Sequence, residues 1–179
     1  MMFMIGGTLL AIIIGLIIGS ARRDRQQAAK LRVVQDRLSA RYTPEKLFVS
    51  PWDQSALGLS PERGEVVLAT AQDDAAYAAA AILAVEGLRD GTVIRRIGRD
   101  DTAPPAAPSG GKGDVIRINT LDLRITVDDP ERPVWTVRFF DWPGGGVSPG
   151  NVAFQSAARE AERWFALLQQ AMAAGPPKA

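Results

Sequence analysis

The chain has 179 residues, 46% of them hydrophobic, which is enough for one soluble domain of ordinary size and too few for two. Its 21 Lys and Arg against 20 Asp and Glu leave a net charge of +1, so the total supplies no electrostatic pull toward nucleic acid. Cysteine and histidine are both absent, which excludes disulfides, thiolate metal sites, zinc fingers, Ser-His-Asp and Cys-His catalysis and any imidazole switch, and suits a reducing compartment.

Met1–Ser20 carries no charged residue. A helix of about 20 residues rising ~1.5 Å each covers the ~30 Å hydrocarbon core of a bilayer, so this segment is expected to be a transmembrane helix. Nothing positive precedes the apolar run, unlike a cleaved signal, while Arg22, Arg23 and Arg25 follow it directly. The positive-inside rule then places the C-terminal side in the cytoplasm and the N-terminus outside, a single pass through the inner membrane. Gly7, Ala11, Gly15 and Gly19 fall four apart and make one stripe of small residues, the pattern that lets two membrane helices approach closely and the basis for expecting a homo-oligomer. The three arginines are expected at the membrane surface, among anionic headgroups.

Residues 21–44 read as a basic helical connector, with Arg22, Arg23, Arg25, Lys30, Arg32, Arg37 and Arg41 set against Asp24 and Asp36. Leu31, Val34 and Leu38 keep a 3-then-4 spacing and Pro44 ends the pattern. This thin stripe supports at most a short coiled coil continuing a dimer from the membrane; the alternative is a solvated arm.

Past Thr43 the period changes to that of strands. "SALGLS" (55–60) and "EVVLAT" (65–70) flank "PERG", where Pro61 presets a turn and Gly64 can take positive φ. Asp90-Gly91 divides two strand-like runs and marks a second hairpin. Residues 99–113, polar and rich in Pro then Gly, read as a surface loop. In the hairpin that follows, Leu121, Leu123, Ile125 and Val127 point one way and Asp122, Arg124 and Thr126 the other, with Trp135, Val137 and Phe139 facing inward from the partner strand. A final helix over about 151–174 carries Phe154, Ala157, Ala158, Ala161, Trp164, Phe165, Leu168 and Met172 at i+3 and i+4 and must dock on the strands; residues 175–179 read as a disordered tail.

Six to seven antiparallel strands followed by one amphipathic helix resemble the pleckstrin-homology superfold, and more narrowly the bacterial PH-like domains. The resemblance rests on "LFVS" (47–50), "AILAVE", "TLDLRITVDDPERPVWTVRFF" and "AAREAERWFALLQQAM" and covers about residues 45–174. It implies an α+β, mainly β fold, an antiparallel barrel closed by the C-terminal helix, and a binding or scaffolding role without catalysis. The loop Ser60-Pro61-Glu62-Arg63-Gly64-Glu65 lacks the basic cluster of phosphoinositide-binding members, so headgroup specificity is not carried over.

The acidic pairs Asp73-Asp74, Asp100-Asp101 and Asp128-Asp129 fall at turns or loops, where Asp serves backbone hydrogen bonding. "SGGKG" (109–113) lacks the spacing, the following Ser or Thr and the helix of a phosphate loop, so no cofactor is expected. Trp142, in "FFDWPGGGVSPG", is the candidate partner contact, the alternative being that it folds back over the end of the domain; Trp52 raises the same question. The expectation is a membrane-anchored, non-enzymatic, cytoplasmic protein-interaction or scaffolding module, partnered by the membrane, another protein and a second copy of itself, without nucleic acid. Its rivals are a sensor of anionic lipid acting through the connector and a carboxylate-dependent enzyme accessory.

Overall fold

The computed structural model describes residues 27–98 and 117–174. The expected membrane segment Met1–Ser20, the loop 99–113 and the tail 175–179 lie outside them. Among the described residues no helix is long and apolar enough to cross a membrane.

A first helix, α1 (27–42), leads into β1 (Lys46–Val49), β2 (Ala56–Ser60), β3 (Glu65–Ala69) and β4 (Asp74–Ala78). A 3-10 turn at Ala79–Ala81 then opens β5 (Ile82–Arg89), β6 (Thr92–Gly98), β7 (Thr120–Val127), β8 (Val134–Asp141) and the helix α2 (Val152–Ala174). All pairings are antiparallel, in two four-stranded sheets ordered β1-β2-β3-β4 and β6-β5-β7-β8. The Asp90-Gly91 turn has φ of 50° and 76°, the positive pair that a two-residue hairpin loop requires.

The expected closed barrel of six to seven strands is not what forms. Eight strands make two separate sheets, and the hydrogen-bonded ladder is interrupted where the chain passes from one to the other. Side chains bridge the corners instead. At one corner the Ser55 hydroxyl accepts from the Arg138 amide (3.0 Å), the Trp52 indole donates to the Phe139 carbonyl (3.2 Å), and Phe48 stacks on Phe139 at 4.2 Å. At the other, Tyr77 of β4 donates to Asp129 (2.8 Å) and accepts from the Trp135 indole (3.1 Å), while Arg132 lies over the Trp135 ring and pairs with Asp73. The Ser55 and Trp52 bonds satisfy backbone groups of β8 that a continuous barrel would satisfy with a ladder, whereas the contacts at the second corner join side chains to one another.

The main core lies between the two sheets and α2. Leu57, Leu59, Val66 and Leu68 come from the first sheet, Leu123, Ile125, Trp135 and Val137 from the second, and Ala161, Trp164, Phe165 and Leu168 from α2. Asn151 caps α2, its side-chain oxygen accepting from the amides of Ala153 and Phe154.

The opposite face of the first sheet is covered by α1. Val34 and Leu38 are buried against Ala56, Val67 and Ala69, and Leu31 is half-buried. Arg37 donates to the carbonyls of Thr70 and Ala71, and Arg37, Arg41 and Tyr42 all converge on the buried Asp74 carboxylate at 3.3, 3.0 and 2.7 Å. This part of the connector is therefore neither a solvated arm nor free for a coiled coil: its apolar stripe is spent on its own sheet.

Candidate functional site

Gly7, Ala11, Gly15, Gly19, Arg22, Arg23 and Arg25 lie outside the described residues. Trp142 is described, and it folds back in part over the end of the domain. Its ring stacks on the buried Phe140, with centroids 6.1 Å apart and planes 12° from parallel, yet 37% of the residue stays exposed. Phe140 also takes Trp52 edge-on at 5.8 Å and Phe154 edge-on at 5.5 Å. The result is an aromatic ledge with Phe140 at its centre and Trp52 (41% exposed) and Trp142 at its rim. After Trp142 the chain reverses through Gly144, Gly145 and Gly146, all at positive φ; a Cβ on Gly146 would come within 3.1 Å of the Ile118 amide nitrogen.

Phe154 joins the ledge to a cleft of about 270 Å³ between α2 and the β5–β6 end of the second sheet. Its wall on α2 is Phe154, Ala158, Ala161 and Phe165, and its floor is Gly87, Leu121 and Leu123. The site exists because Gly87 has no side chain. It is paired with Leu123 on one side and Arg95 on the other, and its missing Cβ would meet their side chains and that of Ile94 at 3.7 to 4.0 Å. The β5–β6 ladder slips between Gly87 and Leu88, and the β7–β8 ladder between Leu121 and Asp122.

Four charged groups edge the cleft: Arg89, Arg95, Asp122 and Glu162. The Asp122 carboxylate is largely buried and pairs with Arg138 at 3.0 Å; burial pushes its pKa up from the ordinary Asp value, against the pull of that arginine. Arg95 holds its guanidinium over the Phe165 ring, 4.3 Å from the centroid. The rim therefore carries two arginines and two carboxylates, and Arg138 behind it is shared between Asp122 and Asp141. β6 is an end strand of its sheet, so its outer backbone edge has no ladder partner among the described residues.

Asp100-Asp101 lies outside the described residues, and the other two acidic pairs have structural work. Asp129 accepts from the amides of Glu131 and Arg132 as well as from Tyr77, and Asp73 and Asp74 hold arginines. Among the described residues no three acidic groups converge where a metal ion could be held. Sequence reasoning missed the cleft, although Gly87 in the middle of the apolar strand "ILAVEGLR" is the signal for it, since an interior strand glycine marks a bulge or a close approach. The chain matches no protein-family model, no curated protein and no solved structure.

Proposed function

We propose that this chain is a membrane-anchored protein-interaction module, in which Met1–Ser20 crosses the bilayer once with its C-terminal side in the cytoplasm and the cleft receives a segment of a partner protein. The observation that carries this reading is the apolar cleft over Gly87, beside the edge of β6 that has no ladder partner among the described residues. Such a site suits an extended segment that adds hydrogen bonds along the strand and drops an apolar side chain beside Phe154, Ala158 and Phe165. The lipid-sensing alternative is weaker, because Arg37 and Arg41 of the connector are committed to Asp74.

The test is a selection of displayed random peptides on the purified chain, run in parallel on Gly87→Leu. A leucine here meets only ordinary contact distances at its Cβ and fills the cleft, so the fold is expected to persist. The wild type should enrich peptides that share an apolar anchor residue, and the variant should not. Identical enrichment on both proteins would contradict the reading.

A further inference from the structure

The aromatic ledge lies where the chain enters the folded body from its apolar N-terminal segment. The Gln27 side chain, the first described residue of α1, donates to the carbonyl of Pro51, next to Trp52 in the β1–β2 turn. Gln27 is seven residues beyond Ser20. Those seven residues cover ~10 Å as a helix and no more than ~24 Å fully extended, whereas the headgroup zone outside the hydrocarbon core is itself several Å deep. Arg22, Arg23 and Arg25 fall within this interval.

From this we infer that Trp52 and Trp142 rest in the headgroup zone of the bilayer that Met1–Ser20 crosses, and so fix the orientation of the body against the membrane. The inference rests on the anchoring reading given above. Its chemistry is that of interfacial aromatics, whose flat apolar rings and single N–H group suit a layer that is apolar on one side and wet on the other. The two rings meet that description differently. Trp142 stays partly exposed with its ring stacked on Phe140, and Trp52 stays partly exposed with its indole N–H held by the Phe139 carbonyl. Prolines flank both, Pro51 before Trp52 and Pro143 after Trp142, and Val152, 78% exposed, opens the helix whose Phe154 packs on Phe140. An apolar border of this kind on a soluble face would otherwise be left to water. The arginines between Ser20 and Gln27 add attraction to anionic headgroups at the same level. In this orientation the cleft, which shares Phe154 with the ledge, opens close to the membrane surface and within reach of a partner's own membrane-proximal segment.

Tryptophan fluorescence of the full chain tests this directly, because all four tryptophans follow Ser20 and two of them, Trp135 and Trp164, are buried. The chain is reconstituted into phosphatidylcholine and phosphatidylglycerol vesicles containing lipid with a nitroxide on its headgroup. Emission should be quenched relative to unlabelled vesicles. Trp52→Phe and Trp142→Phe, which keep an aromatic ring on Phe140, should each remove part of the quenched component, and the double variant most of it. Alkaline carbonate extraction of the same vesicles separates the two readings. A chain that resists extraction but is not quenched, or whose quenching survives in the double variant, overturns the orientation and leaves the anchor standing. A chain released by carbonate overturns both.

Discussion

Two carboxylates each accept a hydrogen bond from one of the chain's two tyrosines, Asp74 from Tyr42 and Asp129 from Tyr77. Each bond ties one element to another, α1 to the first sheet in one case and β4 to the β7–β8 turn in the other. Burial and the neighbouring Asp74 carboxylate push the Tyr42 phenol up to about 12, and burial with Asp129 raises that of Tyr77. A phenol raised on folding contributes stability that is complete below about pH 10, the unfolded value, and is lost as pH climbs through the folded one. At pH 10, where about half of any free tyrosine is ionised, tyrosinate absorbance near 295 nm should therefore be lower in the native than in the unfolded protein, with the Tyr42 part rising near pH 12. Tyr42→Phe should remove the transition near pH 12 and leave that of Tyr77. A full tyrosinate signal at pH 10 in folded protein would show that neither bond forms.

The helix α1 explains a feature of the strands beneath it. In β2 and β3, "ALGLS" and "EVVLA", apolar residues do not alternate with polar ones, because Leu57, Leu59, Val66 and Leu68 face the main core while Ala56, Val67 and Ala69 face α1. Removing Leu38, which is fully buried there, should cost about 2–5 kcal/mol as Leu38→Ala, whereas Val33→Ala, on the exposed side of the same helix, should leave the melting temperature nearly unchanged. Equal effects would mean that the helix is not docked. The β7–β8 hairpin was legible because its alternation is clean, and the Asp90-Gly91 hairpin because its turn chemistry is local. The docking of α1 was less so. Its two signs, the continuous apolar runs of β2 and β3 and the stripe of Leu31, Val34 and Leu38, are far apart in the chain, and each alone has another explanation. β4 escaped notice because "DAAYA" has neither a strong period nor β-branched residues.

On the scale of the molecule, the layers run from α1 through the first sheet and the shared core to the second sheet, with α2 packed on β5, β7 and β8. Closure into a barrel could not be decided from the sequence, since it depends on whether edge groups meet a ladder or a side chain. Here Ser55 and Trp52 supply the side chains that meet backbone groups of β8. The candidate site was illegible for a related reason: Gly87, Arg95, Phe154 and Phe165 come from three elements, and only the fold brings them together. The asymmetry of the body gives the account its functional content, because the entry of α1, the aromatic ledge and the cleft share one end.

The most direct measurement is site-specific photo-crosslinking in the membranes of producing cells. A benzophenone amino acid is placed at Ala158, in the wall of the cleft, and separately at the exposed Leu83 of β5. The account expects light to produce a discrete protein adduct from Ala158, lost when Gly87→Leu fills the cleft, and no such adduct from Leu83. No adduct from Ala158, or the same adducts from both positions, would contradict a role for this cleft in holding a partner.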